Sequence, residues 1–261
     1  MLSPDRPIAS KDIPSAAADI LERIRTRKPR VHCITNAVAQ NFSANMLLAA
    51  GAIPSMTIAP DEIGEFAARA DALLINLGTF DAERRIASGI AIEAVTQQGK
   101  PWLLDPVFAE RSQPRTQFAK SLLEKRPHAV RLNQAEFRAL AGIEVDGASL
   151  ARFGESHDTV IGLTGETDII FGGGRLACIG NGDPLMAKVT AMGCAGSGLV
   201  GACLAVESDA WVATAAGLLI LGVAGQLAAQ SSAGPGSLVP GILDTLHALD
   251  GATLIEHARV I

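Results

Sequence analysis

Tyrosine is absent from these 261 residues, and all aromatic residues together make up 4%. The core must therefore be filled by Ala, Leu, Ile, Val and Gly, small residues that suit helices packed closely on a sheet and sites lined by backbone. Basic charge is not in excess. Lys and Arg number 22 against 27 Asp and Glu, a formal charge of −5, which excludes the basic footprint of nonspecific nucleic-acid binding. The four cysteines (Cys33, Cys178, Cys194, Cys203) form no CxxC pair. Neither a disulfide framework nor a zinc site is expected, and a reducing, cytoplasmic compartment fits. Met1–Lys11 carries charges and prolines but no apolar run of a secretory signal. The most membrane-like stretch, Ala210–Gly225, is uncharged but shorter than the roughly 20 residues that span a bilayer. It reads as a helix buried in a protein that does not enter a membrane. No GxxxxGK[ST] and no GxSxG occurs.

What is present is a high apolar content, 48%, which rules out disorder. Residues 1–14 read as a flexible arm and 15–261 as one domain, since no Pro/Gly/Ser-rich linker or repeat divides the chain. Ser15 is placed to cap a first helix carrying Ala17, Ile20, Leu21 and Ile24. Strands are predicted at Val31–Thr35, Ala72–Leu77, Pro101–Leu104, Ala129–Arg131 and Thr159–Leu163, and Ile53–Ile58 reads as a strand or an extended loop. Helices are predicted between them: Phe42–Ala50 ending at Gly51, one opened by Pro60-Asp61-Glu62 with an Ile63/Phe66/Ala67/Ala70 stripe, Asp81–Gln98, Thr116–Lys125 and Gln134–Ala141. Asp168–Phe171 and Arg175–Ile179 flank three glycines and predict a hairpin. Two long helices, Gly193–Val206 and Asp209–Gln230, follow, then a last one with Pro240 in its first turn. The alternation predicts a three-layer α/β fold, a mainly parallel sheet with helices on both faces.

In such sheets ligands bind at the carboxyl ends of the strands. Those ends carry Thr35-Asn36, Met56, Asn76 with Gly78-Thr79, Asp105, Arg131 with Asn133, and Thr164-Gly165-Glu166. Asp105 and Glu136 are candidates to hold Mg²⁺ directly or through water, and Arg131 to contact phosphate. Thr190–Gly198 is a Gly-rich turn entering a helix, where unpaired N–H groups and the dipole make an anion site or merely allow tight packing. By residue type alone, Cys194 is a small buried thiol or a proton acceptor. Asp105 equally fits a turn cap, and Arg131 and Glu136 fit a surface ion pair. Met56 and the two tryptophans fit a core, and His32 reads as a packed, hydrogen-bonded core residue. The other histidines show no metal spacing.

In order along the chain come VHCITN (Val31–Asn36), NFSAN (Asn41–Asn45), INLGT (Ile75–Thr79), LDPV (Leu104–Val107), RLNQAE (Arg131–Glu136), TGE (Thr164–Glu166), NGDPLMAKVT (Asn181–Thr190), Gly193-Cys194 and GPGS (Gly234–Ser237). This ordered set, from about Pro29 to Leu246, resembles the hydroxyethylthiazole kinases. The resemblance implies a ribokinase-like fold and ATP- and Mg²⁺-dependent phosphorylation of 5-(2-hydroxyethyl)-4-methylthiazole, a salvage step toward thiamine. It also implies a homotrimer with active sites between subunits. Asn36 and Met56 would line the thiazole pocket, with Ala191 beside the substrate. Arg131 and Thr164 would contact ATP, Asp105 and Glu136 would serve Mg²⁺ and phosphates, and Gly193 and Cys194 would sit at the reacting hydroxyl and anion hole.

The sequence departs from the family pattern in three places. Leu132 and Ala191 stand where the family usually has glycine, and Phe108–Ser112 replaces a Gly-rich loop. The first two are expected to bring side chains near backbone that approaches phosphates. The third motivates an alternative activity, a ribokinase-like kinase for another heterocyclic alcohol or a nucleotide-dependent dehydratase.

Overall fold

The computed structural model describes residues 8–261. Among these, apolar runs of the kind in Ala72–Asn76 build one sheet from β1 (Arg30–Ile34), β2 (Ile53–Ser55), β3 (Ala72–Asn76), β4 (Trp102–Asp105), β5 (Ala129–Asn133), β6 (Val160–Thr164), β7 (Asp168–Gly172) and β8 (Arg175–Ile179). The order is β2-β1-β3-β4-β5-β6-β7-β8, parallel through β6, with the predicted hairpin adding β7 and β8 antiparallel. Val260 bridges to Ile179, so the last residues lie along the outer edge of β8.

The period-2 alternation of the strands sorts their side chains between two cores. On one face Val31, Cys33, Leu74, Leu103 and Ala129 pack under α1 (Ile13–Arg27), α2 (Gln40–Ala50), α8 (Met192–Leu204), α9 (Ala210–Ser231), α10 (Pro235–Ala248) and α11 (Gly251–His257). On the other, Ile34, Leu73, Ile75, Trp102, Leu104, Val130 and Leu132 pack under α3 (Ile63–Arg69), α4 (Ala82–Gln97), α5 (Gln113–Leu123), α6 (Gln134–Ala141) and α7 (Gly147–His157). The three predicted layers are present. Helix α1 lies against both α9 and α11.

Several boundaries differ from expectation. Of the predicted arm, residues 1–7 fall outside the described residues. Ser10–Asp12 form a 3₁₀ turn, and α1 begins at Ile13, which is buried; Ser15 is inside the helix and caps nothing. Pro14 in the first turn, where its missing N–H is no loss, starts α1 earlier. Phe66 leaves its predicted stripe and is 42% exposed. Pro240 sits in the second turn of α10 rather than the first, since α10 starts at Pro235. α7 and α11 were not anticipated; both start from an aspartate cap, Asp146 and Asp250, at the edge of weakly apolar segments. α9 extends to Ser231 and is long and apolar enough to cross a bilayer, yet 83% of its most apolar window is buried in the molecule. Both tryptophans are buried, as expected of core residues.

Candidate active site

The last polar residues of three adjacent strands share one face. Counting by twos from Leu74, Leu103 and Ala129, which face α8, brings Asn76, Asp105 and Arg131 to the same side. Asn76 and Asp105 are register partners. Asn76 Nδ2 donates to Asp105 Oδ2 at 2.7 Å, and Ser197 Oγ, from α8, donates to the same oxygen at 2.7 Å. Asp105 is 2% exposed, and burial pushes its carboxyl above the usual range while Arg131, Ser197 and Asn76 pull it back.

Glu136 closes the site from the start of α6. It forms a capping box with Asn133, whose N–H donates to Glu136 Oε2 at 2.8 Å, and it accepts the Phe108 N–H on Oε1 at 3.0 Å. Burial and then the nearby Asp105 raise its pKa. Two buried acids that repel one another suit a cation. Mg²⁺ needs only one or two carboxylates with phosphates and water, and among the described residues no three-acid cluster would hold a metal by side chains alone. Because both Glu136 oxygens already accept backbone N–H groups, Asp105 is the better direct ligand and Glu136 the better partner for bound water. The expected turn cap by Asp105 and the surface ion pair between Arg131 and Glu136 are not formed.

The turn before α8 is uncapped by any side chain, which leaves the N–H groups of its first turn, from Met192 to Cys194, free. Gly193 lies at close approach: a Cβ there would meet Arg131 Nη1 at 2.9 Å, so a side chain would displace the guanidinium. The guanidinium thus lies against the start of α8, and Arg131 Nε is buried with no partner among the described residues. A buried, orphaned cationic donor beside free amides is what a phosphate would satisfy. Cys194 is 7% exposed; burial, and then Asp105, push its thiol up to about 11, against smaller opposing effects of Asn76, Arg131 and Asn36. It is a neutral thiol at pH 7, not a resident thiolate.

Asn36 is fixed by Thr79, whose Oγ1 donates to Asn36 Oδ1 at 3.1 Å, and by Gly78, where any Cβ would lie 2.5 Å from its amide nitrogen. Thr164 ends β6 opposite Asn133, on the side of Arg131. Met56 follows β2 at the same edge of the sheet, half-buried against the α1/α2 core. The fold therefore brings Asp105, Arg131, Glu136, Gly193 and Cys194 together with Asn36 nearby, and sets Met56 and Thr164 at the flanks. His32 is the hydrogen-bonded core residue expected, with Nδ1 2.7 Å from Ser55 Oγ and Nε2 3.0 Å from the Thr57 carbonyl.

The departures resolve differently. Leu132 is fully buried and points to the α3–α7 core, away from α8, so the expected crowding of phosphate does not occur there. Ala191 (φ 65°) and Phe108 (φ 59°) both hold the left-handed conformation that favours glycine. Asn76 and Ser197 were not anticipated as partners of Asp105. The signal was there for Asn76, two residues on from Leu74, and for Ser197, one helical turn beyond Gly193. A hollow of about 420 Å³ lined by Arg126, His128, Glu155 and Asp158 lies at the opposite, amino edge of β5 and β6.

A family model described as the hydroxyethylthiazole kinase family matches residues 21–252. The chain belongs to the hydroxyethylthiazole kinase family. A protein of Agrobacterium fabrum named "Probable hydroxyethylthiazole kinase" is 44% identical over 253 residues, covering 96% of this chain and 98% of that one. One of Granulibacter bethesdensis named "Hydroxyethylthiazole kinase" is 41% identical, covering 98% of each. The solved hydroxyethylthiazole kinase of Pyrococcus horikoshii superposes with a TM-score of 0.90 at 33% identity, over 95% of this chain and 98% of that one. The hydroxyethylthiazole kinase resemblance of the motifs and the ribokinase-like fold are borne out.

Proposed function

We propose that this chain transfers the γ-phosphoryl group of ATP to the hydroxyl of 5-(2-hydroxyethyl)-4-methylthiazole, a salvage step of thiamine biosynthesis. The observation that carries the reading is the corner where the orphaned Arg131 Nε and the free amides of the first turn of α8 meet the paired acids Asp105 and Glu136. The alcohol oxygen attacks phosphorus, the bond to the bridging oxygen breaks, ADP leaves, and the hydroxyl proton passes to an oxygen of the transferred phosphate and on to water. Arg131 and the amides at Gly193 and Cys194 stabilise charge on the moving phosphoryl group. Asp105, with Glu136 through water, would hold Mg²⁺, which neutralises phosphate charge when bound. Thr164 contacts the nucleotide. Asn36, Met56 and Ala191 border the thiazole. The transition state is loose and demands little base catalysis, so a neutral Cys194 beside the hydroxyl is adequate.

Residues from Ile13 onward act as one catalytic unit, in the cytoplasm, where four free thiols persist. The chain works as a homotrimer with sites between subunits. The outer edge of β2, unpaired among the described residues and carrying Ile53 at 44% exposure, supports burial against another copy, and Leu48 on the neighbouring α2 is 57% exposed. The test is a coupled ADP assay over a panel of alcohols, with mass spectrometry of the product. Thiazole-dependent ADP release and a thiazole phosphate ester are expected. Turnover on another alcohol only, or ADP release without any alcohol, overturns the reading.

A further inference from the structure

Asp105 is held in an unusual way for a buried carboxylate: both of its side-chain donors, Asn76 Nδ2 and Ser197 Oγ, meet one oxygen, Oδ2, at 2.7 Å each. Oδ1 receives no hydrogen bond among the described residues and is not a fully enclosed atom. We propose that Asn76 and Ser197 are positioning residues that pin Asp105 by one oxygen and so aim the other at the cation that accompanies the nucleotide. This inference rests on the kinase reading above.

Each donor is itself fixed. Asn76 Oδ1 accepts the Gly78 N–H at 2.9 Å, so the amide cannot turn over and its NH₂ must face Asp105. Ser197 also lies 3.2 Å from the Gly193 carbonyl, one turn back on α8. Its hydroxyl has one proton, and the charged, nearer acceptor takes it. The clamp thus ties the third strand, the fourth strand and the phosphate-facing end of α8 into one unit. Asn76, Asp105 and Ser197 are 1, 2 and 0% exposed. Alanine is the better helix former and buries no polar group, so packing alone does not call for serine at 197.

Pinning has a geometric purpose. Mg²⁺ requires a near-ideal octahedron, so a carboxylate free to turn presents its oxygen poorly. Asp105 also has a competing partner. Arg131 acts on its charge and has an unpaired buried Nε. Without the two donors, the carboxylate can swing to Arg131, which removes a ligand from the cation and a donor from the phosphate together.

The experiment uses Ser197→Ala, Asn76→Ala and Ser197→Thr, with Mn²⁺ as the probe. Mn²⁺ binding to the ATP-loaded protein is followed by electron paramagnetic resonance, beside kcat, the KM for the alcohol, metal dependence and melting. Both alanine variants are expected to weaken Mn²⁺ about tenfold, the scale seen when residues that orient a metal ligand are lost. They should lower kcat, with partial recovery at high metal, and leave the alcohol KM within about twofold. Ser197→Thr keeps the hydroxyl and should keep the metal affinity, whatever its stability. Wild-type Mn²⁺ affinity in both alanine variants overturns the inference, as does a loss in Ser197→Thr equal to that in Ser197→Ala. A wild-type protein inactive on the thiazole alcohol would sink the kinase reading alone, because the Mn²⁺ titration still decides the clamp.

Discussion

Ala191 holds φ 65° immediately before α8 without being glycine. A left-handed alanine costs on the order of 1 kcal/mol. Ala191→Gly should therefore keep activity and match or exceed wild-type stability by up to about 1 kcal/mol, while Ala191→Val, branched at Cβ, should lose at least that much; urea midpoints decide. Asp105 pulls the other way. Its folded pKa is raised by burial, so the folded state carries an energetic penalty once the carboxylate ionises. That penalty is absent at low pH and grows as pH rises through the folded pKa. Asp105→Asn should abolish phosphoryl transfer yet raise Tm at pH 7 by a few degrees, roughly 1 kcal/mol for a chain of this size. A lowered Tm would refute the penalty. Cys194→Leu should abolish turnover by filling the space beside the hydroxyl, and Cys194→Asp should retain it. The acids, Arg131 and Gly193 were legible because they punctuate strand ends and a helix start. The side on which Leu132 lies was not, since one residue of register decides it and only the folded strand sets that register.

Among the elements, β8 and α9 are joined by a compact polar lock. Asp209 caps α9, accepting from Trp211 N at 3.1 Å, and pairs through both oxygens with Arg175 at 2.7 Å, whose guanidinium stacks 4.6 Å from the Trp211 ring. Asp209→Ala removes cap and pair together and should cost about 2 kcal/mol, discounted for the one-third exposure of its side chain. Asp209→Asn keeps the cap and should recover about half. The folded pKa of Asp209 is lowered, its desolvation outweighed by Arg175 and the two amides, so its contribution is full above the unfolded value and fades as pH falls through the folded one. Strand and helix types were largely readable from apolar runs. α11 was not, because Leu254 is its single buried residue, and α7 was missed although Asp146 caps it and Leu150, Phe153 and Gly154 fall on one face. Pro240 misled by one turn, since Pro235 opens α10 and so leaves Pro240 in its interior.

Across the molecule, His32, His128 and His157 all have pKa values lowered by burial from 6.5. The unfolded chain therefore takes up protons first. Stability from these neutral rings is intact above about pH 6.5 and is lost as pH falls below it. Chemical-denaturation midpoints should drop between pH 7 and 5, and His32→Asn should flatten part of that slope. Assembly belongs to the same scale. Ile53→Lys with Leu48→Glu should convert the proposed trimer to monomers in analytical ultracentrifugation and lower activity with it. Neither outcome was readable from composition, because a chain this rich in small apolar residues hides its contact surfaces among ordinary core positions.

Helix α1 rests on α9 and α11, elements made near the other end of the chain. A ribosome adding 5–20 residues per second needs on the order of ten to forty seconds to travel that far. During that time the buried face of α1, with Ile13, Ile20, Leu21 and Ile24, has no permanent seat. The nascent chain must therefore mature from both ends at once, with its first helix kept waiting, and chaperones that shelter apolar segments during translation have an obvious client in residues 13–27.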